Sequence, residues 1–166
     1  MKITAKYITI ALAATGLAIV TALATPTPSD AGAACVDQTF RVSSSSKTCV
    51  KYIQILSNEV YKNSRSVLGS RAALATDGIY GSKTESAIRN LQGHARVTLK
   101  KSNGSEGKEI KLTKDGITGK QTWAILCTFN QLYKNDKHYD VLKKSGCLDA
   151  KGNHWAFKHF YSTELR

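Results

Sequence analysis

The sequence is short of acidic residues, with 12 Asp and Glu against 24 Lys and Arg in 166 residues. A glycosidase works through a pair of carboxylates, and few are free here, because Asp77 and Asp115 stand in turn-forming Asp-Gly pairs. No Cys-x-x-Cys or His-x-x-x-His spacing occurs, so the recurring zinc-ligand patterns are missing. The four histidines, His94, His138, His154 and His159, include no pair at ligand spacing backed by an acid. Proline is confined to Pro26 and Pro28. These absences argue against an enzyme, and no cofactor or metal is implied.

The imbalance leaves a formal charge of +12. Such a charge attracts polyanions. The first residues identify the compartment in which to look for them. Lys2 and Lys6 precede an uncharged apolar run from Ile8 to Ala24, followed by the prolines and by Ala31-Gly-Ala-Ala34. A basic end, an apolar middle and small residues are the parts of a secretory signal peptide. Residues 1–33 are therefore expected as the signal, with cleavage after Ala33 preferred over Ala24. The length of the run also suits an uncleaved membrane anchor. A lipid-modified Cys35 fits less well, because Gly32 stands where an aliphatic residue is usual. Without Lys2, Lys6 and Asp30 the mature chain carries +11. Export makes anionic cell-surface polymers the expected partner instead of nucleic acid.

Cys35, Cys49, Cys127 and Cys147 remain, an even count that suits two disulfides in an oxidising compartment. Three pairings are possible; proximity along the chain favours Cys35–Cys49 and Cys127–Cys147.

The strongest pattern is a repeat. Asp77-Gly-Ile-Tyr-Gly-Ser-Lys-Thr84 and Asp115-Gly-Ile-Thr-Gly-Lys-Gln-Thr122 share five of eight positions at a spacing of 38 residues. Asp-Gly marks a turn with positive φ at the glycine. Gly81 and Gly119 let the chain bend again at a helix start. Two copies point to an internal duplication. The flanking periodicity predicts helices over 48–63, with Val50, Ile53, Leu56 and Val60 inward and Tyr52, Gln54 and Lys62 elsewhere; over 82–93, with Ala87, Ile88 and Leu91 inward; and over 120–133, with Ile125, Leu126, Phe129 and Leu132 inward. A loop from Ser64 to Thr76 would send Leu68 and Leu74 into the core. Between the repeats, Arg96–Lys100 and Glu109–Thr113 alternate polar and apolar around a turn at 102–107, which predicts a β-hairpin within 94–114. Beyond Lys134 a short helix over 139–143 and a turn at 145–147 are expected. Trp155, Phe157, Phe160 and Tyr161 near the end call for burial or a ligand, with core packing the more common explanation.

The duplicated motif and its setting resemble the type-1 peptidoglycan-binding domain, a small three-helix module. Val50-Lys-Tyr-Ile-Gln-Ile-Leu-Ser-Asn58 is similar to that family's first helix, and Asp115 to Trp123 to its second motif. Ala87, Gln92 and the lead-in Thr39–Ser46 also agree, so the resemblance spans about Phe40 to Tyr133. It departs from the family at Ser82 and Lys120, where proline is frequent, and in the long connection from Gln92 to Asp115. The resemblance implies a mainly α three-helix domain over 34–133, with an inserted hairpin and a C-terminal extension over 134–166. It implies non-covalent binding of peptidoglycan, through stem peptide or glycan, by a secreted monomer.

Ligand contacts are expected at Tyr80, Lys83, Thr84, Lys120, Gln121 and Trp123. Lysines in a first helical turn are not explained by stability, since the helix dipole disfavours cations there, whereas a bound anion would account for them. Asp77, Gly78, Gly81, Asp115, Gly116 and Gly119 are expected to shape the turns. Two other readings are a small wall hydrolase or its accessory subunit, using Asp149, His154 and His159, and an extracellular protein-interaction module on the same fold. The 33 residues after Tyr133 are too few for a separate hydrolase domain.

Overall fold

The computed structural model describes residues 34–132 and 136–166, and the expected signal segment 1–33 lies outside them. Helix α1 spans Lys47–Asn63 and buries Val50, Ile53, Leu56 and Val60, as the three-to-four spacing predicts. Gln54 does not fall off that face; it is buried too, at 2% exposure. A single turn, α2 (Arg65–Leu68), interrupts the expected loop, and Leu68 and Leu74 seal the core.

Helix α3 spans Ser82–His94 and buries Ala87, Ile88 and Leu91. Gly93 does not stop it; the helix runs one residue further and passes directly into strand β1, Ala95–Lys100. Strand β2 is Glu106–Lys111. Helix α4 (Lys120–Leu132) buries seven consecutive residues, Thr122 to Thr128. A helix buried all round belongs at the centre, and α4 packs against α1, β1 and the C-terminal elements. Those elements are α5 (Asp136–Ser145), α6 (Trp155–His159) and β3 (Phe160–Leu165).

The fold is thus mixed α/β instead of mainly α. A three-stranded antiparallel sheet in the order β2-β1-β3 adjoins the helices. Val97 pairs with Ile110 on one side and Thr163 on the other. Two strands alone are marginal, and β3 supplies the third. The C-terminal residues are part of the core, to which they contribute Leu142, Cys147, Leu148, Trp155, Ala156 and Phe160. Phe157 and Tyr161, expected inside, are each 48% exposed.

Cysteine pairing is Cys35–Cys49 and Cys127–Cys147. The first ties a 3₁₀ turn at Cys35–Asp37 to the start of α1, and the second ties α4 to the turn after α5.

Candidate functional site: the paired Asp-Gly loops

Both Asp-Gly loops are held by a buried glutamine, Gln54 of α1 for the first and Gln92 of α3 for the second. Gln54 Nε2 donates to Asp77 Oδ1 at 2.8 Å, to the Ile79 carbonyl at 3.0 Å and, more distantly, to Thr84 Oγ1 at 3.3 Å. Its Oε1 accepts from the Gly78 N–H at 3.0 Å. Gln92 repeats every contact on the second loop: Asp115 at 2.8 Å, Ile117 at 2.9 Å, Thr122 at 3.2 Å, and the Gly116 N–H at 2.8 Å. The amide has two hydrogens for three acceptors, so one is shared.

Within each loop the aspartate also accepts from the N–H two residues on, Ile79 or Ile117. That N–H, then Gln54, holds the Asp77 carboxyl below its ordinary range. Two of the glycines hold a backbone conformation that a side chain resists, whereas Gly81 and Gly119 have open space where a Cβ would stand. Gly78 and Gly116 have φ of 77° and 74°, and a Cβ on Gly78 would lie 2.6 Å from the Lys47 carbonyl oxygen. On Gly116 it would lie 2.5 Å from Glu85 Cγ. The duplication therefore reaches back into the helices: Gln54 and Gln92, like Lys47 and Glu85, differ by the same 38 positions as the motifs. One step further stands Asn130, buried in α4, whose amide bonds the Leu56 and Leu126 carbonyls.

Tyr80 joins the two loops. Its hydroxyl donates to the Gly116 carbonyl at 2.7 Å and lies 2.9 Å from Thr118 Oγ1, with the side chain 1% exposed. Phe40 bridges Thr118 in antiparallel fashion, and the Ser43 N–H donates to the Tyr80 carbonyl, so residues 40–43 strap both loops. Burial pushes the Tyr80 hydroxyl up from 10.0 to about 12. The unfolded chain then ionises first, so this contribution to stability is intact below pH 10 and is lost as pH rises to 12. Tyr80→Phe is expected to cost about 1–2 kcal/mol at neutral pH. It should also flatten the alkaline limb of urea-denaturation stability.

These facts sort the expected ligand contacts. Tyr80, Thr84 and Trp123 are corrections: each is 3% exposed or less and faces the core. Trp123 meets Phe40 edge-on at 6.2 Å. Lys83 is exposed on the first loop, while Lys120 and Gln121 line a cavity of 330 Å³ beside the second. Leu112 and Ile117 form its apolar wall, and Thr113 and Asp115 complete the rim. Lys83 is not among the residues lining it. The cleft offers a cation, an amide and the first-turn N–H groups of α4, which have no intrahelical partners. That set can hold a carboxylate or a polar amide.

The tail residues considered for catalysis are each engaged in the packing of the C-terminal elements. Asp149 accepts from Lys158 Nζ at 3.0 Å and from the Asn153 backbone and side chain, which together hold its carboxyl well below the usual range. His154 is buried against Phe157, and His159 packs on Trp155.

The glutamines were missed by pattern reading, although the 38-residue spacing applied to polar helix positions finds them. Comparison of the chain with protein-family models, curated proteins and solved structures gives no match.

Proposed function

We propose that this chain binds bacterial peptidoglycan non-covalently, through the cleft beside the second Asp-Gly loop. The observation that carries the reading is the duplicated glutamine lock. It gives the two copies of a motif resembling the type-1 peptidoglycan-binding domain one shared architecture, down to contacts at equal sequence offsets. A lock of this kind makes the loops rigid, so little ordering free energy is spent when a ligand arrives.

Two disulfides, and the lack of any helix among the described residues long and apolar enough to cross a membrane, are compatible with life outside the cell. The excess of basic charge would raise the encounter rate with an anionic wall and its polymers. Lys120 would meet a stem-peptide carboxylate, and Gln121 an amide or glycan hydroxyl. The protein would act as a binder, with no bond made or broken.

A Lys120→Ala/Gln121→Ala variant should keep its helical circular dichroism and sediment with insoluble peptidoglycan about tenfold less tightly, the loss of one charge-assisted hydrogen bond. Lys83→Ala, outside the cleft, should sediment nearly as the parent does. The reverse ranking would move the site to the first loop.

A further inference from the structure

A second groove lies along the C-terminal half of α1. It has a volume of 380 Å³ and is walled by Tyr61, Arg65, Arg71 and Ala72–Ala73, with Glu59 and Lys62 at its edge. The Arg71 guanidinium sits 4.8 Å from the centre of the Tyr61 ring. Among the described residues its side-chain hydrogen bond is a long one, 3.5 Å from Nη2 to the Lys83 carbonyl. Neither Arg65 nor Arg71 is ion-paired with a carboxylate among the described residues. Glu59, the groove's own carboxylate, is already engaged by Lys62 at 3.8 Å and His138 at 3.6 Å.

The walls are fixed. The Tyr61 hydroxyl donates to the Ala87 carbonyl at 2.8 Å and accepts from Asn90 at 2.9 Å. Asn58 clamps Leu74 through both its carbonyl and its N–H, which anchors the neighbouring Ala72–Ala73 backbone. A guanidinium stacked on an aromatic face keeps its edge N–H groups for a planar, two-oxygen partner. The stacking also orders Arg71 before any ligand arrives. The space exceeds what a bare ion needs and suits a short chain.

We propose that this groove receives the free C-terminal carboxylate of a short peptide, held by Arg71 and Arg65. The site is separate from the second-loop cleft and does not depend on it.

The test is an NMR titration of the ¹⁵N-labelled full chain with acetyl-alanyl-alanine, in both configurations, against the corresponding C-terminal amides and inorganic phosphate. The Arg71 Nε–H and the Ala72–Ala73 amides should shift and saturate with at least one free acid. The amides should bind roughly tenfold more weakly or worse, the loss of a charged hydrogen-bond pair. Arg71→Gln should lose the response by a similar factor with its amide spectrum otherwise unchanged. If that variant misfolds, Arg65→Gln, at an exposed position, should weaken binding severalfold. No response to either acid, equal response to acid and amide, or phosphate binding as tight as the peptide would each overturn the proposal. Sedimentation with peptidoglycan despite no response to the acids would refute this groove alone. A saturating response without sedimentation would refute only the proposed wall-binding function.

Discussion

Replacing Gln92 by leucine is expected to lower unfolding stability by about 2–3 kcal/mol, read as a shifted urea midpoint at unchanged slope. Leucine nearly preserves volume, so the loss reports hydrogen bonds and not a cavity. The Gly116 N–H would be left buried without its acceptor, and Asp115 would lose its 2.8 Å donor. The Ile117 carbonyl would still accept from Thr122 Oγ1, which limits the damage. Gln54→Leu should cost about as much, because its contacts on the first loop are the same in kind. The double variant should deviate from additivity, since Tyr80 ties the two loops together. Asn130→Leu supplies the contrast. It severs bonds to helix carbonyls but releases no loop, and should cost about 1 kcal/mol. If Gln92→Leu cost no more than Asn130→Leu, the lock would not be what holds the loops.

The Cys127→Ala/Cys147→Ala variant should lose about 3 kcal/mol, the chain-entropy value for a closed loop of 20 residues. Both cysteines are fully buried, so some packing is lost as well. This bond holds the α5 end against α4, and β3 follows from the same stretch. Amide exchange at Val97 and Thr163, paired across β1 and β3, should therefore quicken beyond the global change. Cys35→Ala/Cys49→Ala closes a slightly shorter loop of 14 residues and should cost a similar amount. It should leave that strand pair protected. A Cys127/Cys147 variant within 1 kcal/mol of the parent would mean that packing alone fixes the C-terminal elements.

Much of this was legible in the chain. The apolar spacing in α1 and the Asp-Gly turns are local signals, set by residues a few positions apart, and the cysteine pairs follow the shortest separations the sequence offers, 14 and 20 positions. The third strand was not legible. Ala95 pairs with Leu165 across 70 positions, and Phe-Tyr-Ser-Thr-Glu-Leu carries little alternation of its own. Tyr80 misled for a different reason. At the one position of Asp-Gly-Ile-x-Gly where the copies differ, an aromatic reads as a ligand contact. In the fold, the difference between Tyr80 and Thr118 is what lets one loop dock on the other. Gln54 was placed off the apolar face because it is polar. A buried polar group is stable when its hydrogen bonds are met, and here the loop meets them.

The most direct test of wall binding is sedimentation of the purified chain with insoluble peptidoglycan at low and high salt, followed by assay of the supernatant for released muropeptides. The proposed cleft predicts that the protein sediments in both salts, weakened but retained at high salt, and releases nothing. Loss of all sedimentation at high salt would mark a charge-only attraction. Release of muropeptides, or no sedimentation at either salt, would contradict a non-catalytic peptidoglycan binder.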